Sequence, residues 1–157
     1  MTSTWQRFRQ VTEFIPSGHK LYRSSAPNYP IQDLTAVSVQ FLTSKGIDSV
    51  ISFAETPYTS EALQLLDDAK IDYIHLSVVD FSAPTLAQLS AANDFFLRHD
   101  TTLVHCGYGH GRTGTGVTAL QLYATKGTAP VQMDWSAKNY VETVDQIKVL
   151  ENLRDSF

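Results

Sequence analysis

Residues 102–125 constrain the fold more than any other stretch of this chain. Thr102-Leu103-Val104 has the pattern of a buried strand, ending at His105. Glycine then stands at every second position of the loop that follows, at Gly107, Gly109 and Gly111. From Arg112 to Thr125 the pattern is helical, and Gly127 ends it. A strand that runs through such a loop into a helix belongs to an α/β chain, with the loop at the carboxyl end of the strand. Glycines let successive backbone N–H groups turn inward into one concave ring, which is the shape an anion needs. The start of the helix adds partial positive charge to the same spot. Arg112 adds a planar fork that matches two phosphate oxygens.

Cys106 opens this loop. Only the thiolate of a cysteine attacks, and helix N-termini and nearby cations lower a thiol pKa from about 8.5 to roughly 3.5–7.5. Cys106 stands where those influences meet. A lone cysteine is ordinarily a small buried hydrophobe. The three glycines, Arg112 and Thr113 around this one point instead to a nucleophile under a bound phosphate.

The rest of the chain reads as short apolar strands alternating with helices, hence a mostly parallel central sheet flanked by helices. Val11 to Ile15 and Leu21 to Arg23 read as early strands, turning at Pro16-Ser17-Gly18. Gln32 to Lys45 reads as a helix with Leu34, Val37, Phe41 and Leu42 on one side. Ser49 to Phe53 and Tyr73 to Val78 are strand candidates, with a helix from Glu61 to Lys70 between them. Thr85 opens a helix whose apolar face is Leu86, Leu89, Phe95 and Phe96, through Leu97. Val131 to Phe157 reads as helical, broken near Asn139 to Thr143.

With 157 residues, 43% apolar and 18% charged, the chain suits one domain over 1–157, residues 1–20 forming an N-terminal arm. No apolar run approaches the roughly 20 residues of a membrane span. Met1-Thr2-Ser3-Thr4-Trp5-Gln6-Arg7 lacks the apolar stretch of a signal peptide, so a cytoplasmic location is expected. A net charge of −4 argues against nucleic acid or an anionic membrane as partner, while leaving room for a local basic patch. The single cysteine permits no internal disulfide and has no resolving partner. His19, His75, His99, His105 and His110 do not fall at metal-ligand spacings, and neither metal nor cofactor is expected.

His105 through Thr113 resembles the signature of the cysteine-dependent protein tyrosine phosphatase superfamily: His-Cys, five residues, Arg, then Ser or Thr. The chain is similar to its small dual-specificity-like members from about Leu21 to Leu150. The resemblance implies Cys106 as nucleophile through a phosphocysteine, and Arg112 with the loop from Gly107 through Tyr108, Gly109, His110 and Gly111 as phosphate ligands. It implies that Thr113 steadies the thiolate and that His105 orients the loop. Departure of an alkoxide or phenoxide needs a proton, and Asp80 in Val78-Val79-Asp80-Phe81-Ser82-Ala83-Pro84 matches the acid loop of small members. Asp72 is a weaker candidate, and Asp94 falls inside a helix.

Tyr140-Val141-Glu142-Thr143-Val144-Asp145-Gln146 is similar to the superfamily's water-positioning loop, with Glu142 where a first Gln is expected. Thr143 and Gln146 also fit a helix-capping box, so Gln146 has two readings. Leu21 to Asn28, with Arg23, Ser24 and Ser25, resembles a segment that braces the site. A protonated His110 would favour substrates with several phosphates; otherwise its side chain faces solvent. The implied partner is a phosphorylated protein or a small phosphorylated molecule. Protein tyrosine or dual-specificity phosphatase is the first expectation, inositol phosphate or phosphoinositide phosphatase the alternative. A non-catalytic phosphate-binding module would have no use for the nucleophile.

Overall fold

The computed structural model describes residues 4–157. Met1-Thr2-Ser3, part of the stretch read for a signal peptide and of the expected arm, lie outside the described residues. Five strands make one sheet: β1 (Arg9–Val11), β2 (Lys20–Ser24), β3 (Ser49–Ser52), β4 (Asp72–His75) and β5 (Thr101–His105). Their order is β1-β2-β5-β3-β4. β1 runs antiparallel to β2, and the other pairs are parallel. The helices are α1 (Ala36–Ser44), α2 (Ser60–Asp68), α3 (Leu86–Leu97), α4 (Gly111–Thr125), α5 (Gln132–Ala137) and α6 (Val144–Asp155). The expected α/β class and flanked, mostly parallel sheet are what the chain adopts.

Alternation along the inner strands divides the core. Val50 and Leu103 face one side, packed with Trp5, Leu42 of α1 and Leu66 of α2. Ile51 and Val104, one residue on, face the other, with Leu89, Phe96, Leu120 and Leu150 from α3, α4 and α6. Each such side chain buried contributes roughly 1.5–3 kcal/mol. The central strands are apolar on both faces because both faces are covered.

Several boundaries depart from the sequence pattern for local reasons. The first strand is Arg9–Val11 rather than Val11 to Ile15, because Phe14 adopts a left-handed backbone (φ 58°) and turns the chain. α1 begins at Ala36 rather than Gln32. Gln32 is itself left-handed (φ 59°), and the Thr35 hydroxyl caps the helix by accepting from the Ser38 N–H. The buried face of α1 is Ser38, Val39 and Leu42, so Val37 points outward. α2 runs Ser60–Asp68, capped by Thr59, and Lys70 is left-handed. β4 covers Asp72–His75; beyond Leu76, whose N–H still donates to the Ser52 carbonyl, the chain leaves the sheet. On α3, Ala92 joins Leu89, Phe95 and Phe96 inside, while Leu86 and Leu97 are exposed.

α4 is built from poor helix formers, including Thr113, Gly114, Thr115, Gly116, Val117 and Thr118. Burial offsets the weak propensity, since every residue from Gly111 to Leu122 is inside. Two glycines serve close approach: a Cβ at Gly114 would meet the Asn139 carbonyl, and one at Gly116 the Phe53 ring. α4 therefore passes close behind the sheet and starts directly under the loop.

Candidate active site

The loop after β5 leaves the carboxyl end of the middle strand of the sheet, between β2 and β3. Cys106 is only 2% exposed, and the Gly109 N–H donates to its Sγ at 3.3 Å. The loop is tied to its neighbours through backbone bonds. The Ala26 N–H donates to the Gly107 carbonyl (2.8 Å), and the Phe53 N–H to the His105 carbonyl (2.8 Å). Gly109 has φ +107°, and a Cβ there would press on the Ser24–Ser25 backbone at 2.8–2.9 Å. Glycine is thus required here both by conformation and by contact.

Below the loop, Arg23 is buried and donates to three carbonyls: Asn139 at 2.8 Å, Gly109 at 3.1 Å and His110 at 3.4 Å. These bonds hold the loop carbonyls down, which leaves its N–H groups for the opposite side. Burial, aided by nearby Arg9 and against the pull of Cys106 and Tyr140, lowers the Arg23 pKa to about 10. It remains a cation at neutral pH. Ser25 completes the brace: its Oγ accepts from the Gln6 N–H, and its N–H donates to the Gln6 carbonyl.

His105 is fully buried. Its Nδ1 lies 2.8 Å from the Cys106 carbonyl, which can only accept, so Nδ1 carries the proton. Nε2 therefore accepts from the Tyr58 hydroxyl at 2.7 Å. Burial pushes the His105 pKa down to about 4 and holds the Tyr58 phenol well above its usual value, so both stay neutral. Trp5 lies edge-on to the imidazole, ring centres 5.7 Å apart. Both ring nitrogens of His105 are thus committed to fixed partners.

Arg112, in the first turn of α4, donates from Nη1 to the Val78 carbonyl at 2.8 Å, and its Nη2 lies 3.2 Å from Asp80 Oδ1. The segment after β4 thereby carries Asp80 to the loop, although the Asp80 side chain is 66% exposed. Thr113 is buried, and its hydroxyl has no hydrogen-bond partner among the described residues. Asp72 lies at the opposite end of β4, 2.7 Å from His99 Nε2, away from the loop. Asp94 is on α3.

Gln146 is buried at the start of α6 and completes the capping box with Thr143. Its Oε1 accepts from the Glu142 and Thr143 N–H groups at 2.9 and 3.2 Å, and its Nε2 donates to the Ser82 carbonyl at 3.1 Å. α6 is thus linked to the Asp80 segment. A Cβ on Gly111 would meet both the Glu142 carboxylate and the Gln146 amide, so both stand over the first residue of α4. The His110 ring is half-buried and stacked on Tyr140, with centres 4.4 Å apart and planes 9° from parallel. Burial, with Arg23 assisting and Glu142 opposing, lowers its pKa.

An open cavity of about 520 Å³ borders Gly107, Arg112 and Asp80, with Ile31, Pro57 and Tyr58 among its other walls. Among the described residues no cluster of three or more His, Cys, Asp or Glu is placed to hold a metal ion. No described helix is long and apolar enough to cross a membrane.

Tyr58 and the Val78 carbonyl were not marked as site groups by the sequence pattern. Their partners are distant in sequence, and nothing local announces the contacts.

Comparison with known proteins agrees with this architecture. Residues 32–156 match the model of the family described as Swiss Army Knife protein, DSP-PTPase phosphatase domain. No curated protein matches the chain. Among solved structures, kinase associated phosphatase (KAP) superposes with TM-score 0.77 at 19% identity, over 99% of this chain and 97% of that one. Tk-PTP in its active form gives 0.69 at 21% identity, over 100% of both chains. The catalytic domain of the PP-IP phosphatase SIW14 from S. cerevisiae gives 0.67 at 18%, over 96% and 87%. At these identities the solved structures share the fold.

Proposed function

Because this chain belongs to the DSP-PTPase phosphatase domain family of Swiss Army Knife proteins, we propose that it hydrolyses phosphomonoesters through a phosphocysteine at Cys106. Cys106 Sγ attacks phosphorus in line. The S–P bond forms as the bond to the leaving oxygen breaks, and Asp80 gives that oxygen its proton. Water then attacks phosphorus and passes a proton back to the Asp80 carboxylate. The S–P bond breaks and inorganic phosphate leaves. The loop N–H groups and the Arg112 fork hold the equatorial oxygens in both steps, so the charge stabilisation comes from groups fixed in the fold.

The observation that carries this proposal is the convergence on one cavity of Arg112 and Asp80, from separate elements, beside the loop that encloses Cys106 Sγ. Gln146 spends its amide on two N–H groups and on Ser82, whereas the Glu142 carboxylate beside it makes no hydrogen bond among the described residues. We assign the positioning of water in the second step to Glu142.

Two substrate classes meet the site. The apolar wall of the cavity, with Ile31 80% exposed beside Pro30 and Pro57, suits the stem or ring of a phosphorylated protein side chain and supports a protein tyrosine or dual-specificity phosphatase. The arginines behind the loop favour small molecules with several phosphates.

The test is phosphate release near pH 6 with chelator present. Substrates are phosphotyrosine, phosphoserine and phosphothreonine peptides, a phosphoinositide and inositol hexakisphosphate, with Cys106→Ser as control. Release that disappears in Cys106→Ser is expected. Release that survives the substitution, or no release from any substrate, would overturn the proposal.

A further inference from the structure

Beside the loop, on the flank away from Ile31 and Pro57, lies a recess of about 200 Å³ walled by Arg7, Arg9, Arg23, Gly109, His110 and Tyr140. That is room for roughly six waters at about 30 Å³ each, or one phosphate with part of its hydration. Three of the chain's 12 Lys and Arg residues meet here, in a protein of net charge −4. No carboxylate lines the recess. Among the described residues, none of the three arginines forms an ion pair. The Arg7 guanidinium stacks on Tyr108 at 3.7 Å, and its Nη2 is buried with no hydrogen-bond partner. Arg9 and Arg23 lie over the same Tyr140 ring, at 5.9 and 5.6 Å from its centre. Glu142, whose field reaches His110, faces Gly111. Like charges gathered without a counter-charge are disfavoured unless an anion joins them.

We propose that this recess is a second phosphate subsite, so that the preferred substrate is a small molecule bearing two or more neighbouring phosphates. This rests on the phosphatase function proposed above and selects between its two substrate classes. The two sites share a wall: Gly109, which borders the recess, also donates its N–H to Cys106 Sγ at 3.3 Å. A phosphate in the recess therefore lies on the flank of the loop that encloses Cys106 Sγ. A compact scaffold presents adjacent phosphates on one side, whereas consecutive side chains of an extended peptide point to opposite faces. Arg9 is the exposed member and bonds only the Lys138 carbonyl, at 2.9 Å, so it is free to turn toward an anion.

The test is steady-state kinetics at constant ionic strength with phenyl phosphate and inositol hexakisphosphate, on wild type, Arg9→Gln and Arg9→Lys. The readout is the ratio of kcat/KM for the hexakisphosphate to that for phenyl phosphate. Arg9→Gln is expected to lower this ratio about tenfold, as loss of a charge-assisted bond does, and Arg9→Lys to restore most of it. An unchanged ratio overturns the subsite. A loss seen with a doubly phosphorylated peptide and not with the hexakisphosphate overturns the small-molecule assignment. So does an effect of added sulfate on phenyl phosphate turnover that Arg9→Gln abolishes, since the recess would then hold a separate anion. If wild type releases phosphate from neither probe nor from any phosphopeptide or phosphoinositide, the phosphatase proposal fails. Titration of inositol hexakisphosphate into Cys106→Ser, with and without Arg9→Gln, then reads the recess by itself: binding about tenfold weaker supports it, and equal binding overturns it.

Discussion

Taking the protein from about pH 7 to about pH 4 should cost about 3 kcal/mol of stability through His105 alone. The imidazole is fully buried, with its one proton committed to the Cys106 carbonyl at 2.8 Å and its lone pair committed to the Tyr58 hydroxyl at 2.7 Å. A second proton would break the bond from Tyr58 and place a charge in the core beside Arg112. Burial first, then repulsion from His75 and Arg112 against the pull of the Cys106 carbonyl, brings the pKa from 6.5 to about 4. The unfolded chain takes up the proton near 6.5 and the folded chain only near 4. Between these values the unfolded state binds more protons, so stability rises with pH and is lost as the pH drops. The contribution is complete above about 6.5 and gone once the pH has passed through 4. At about 1.36 kcal/mol per unit, the depression amounts to about 3 kcal/mol. Urea unfolding at stepped pH on wild type and His105→Gln isolates it. Burial acts against protonation of His99, but its bonds to Asp72 and the Phe95 carbonyl prevail and raise its pKa. Its contribution is complete below 6.5 and lost as pH rises, opposite in sign and common to both proteins. Parallel loss of stability in wild type and His105→Gln would refute the assignment.

Tyr58→Phe removes the donor to His105 Nε2 and leaves a buried acceptor unpaired; urea unfolding should show a loss of about 1–3 kcal/mol, and no measurable loss would mean the bond contributes nothing. Gly116→Ala should destabilise by about 1–3 kcal/mol because the new methyl enters the space of the Phe53 ring. A rise in Tm, as helix propensity alone would give, would show that Phe53 moves aside freely. Asp80→Ala should slow alkyl phosphates by about 10²–10⁴ and activated aryl phosphates much less, since their leaving groups need little protonation. Equal slowing in phosphate-release assays would remove Asp80 from the acid role.

How much of this was legible in the sequence depended on whether the signal was local. The strand, glycine loop and helix from Thr101 to Thr125 were readable because apolar pattern, glycine spacing and helix terminus lie in one stretch. The cap at Thr85 and the break before Thr143 were readable for the same reason. The pattern misled where a bulky residue took a left-handed backbone, as at Phe14 and Gln32, a choice made by tertiary packing. It also misled over Val37, because apolar spacing does not say which side of a short helix the sheet will cover. Arg23 was marked as a brace, but its carbonyl partners at Gly109, His110 and Asn139 are set by the fold. For His110, the motif suggested solvent or a positive charge, and its stacking partner Tyr140, thirty residues on, had no local signal.

The glycine loop is not a portable cassette. Residues 105–113, grafted onto another strand–helix junction, would keep their glycines, Cys106 and Arg112 and lose what shapes them. The Arg23 bonds that hold the carbonyls down come from β2, and the Trp5 ring against His105 comes from before β1. Trp5 is itself pinned by its indole N–H to the Ser38 carbonyl, and Gln6 and Ser25 hold each other by paired bonds. A transplant that worked would have to carry residues 5–28 and Tyr58 with it. Chimeras that separate the loop from this opening segment should fold around a loop that has lost its shape.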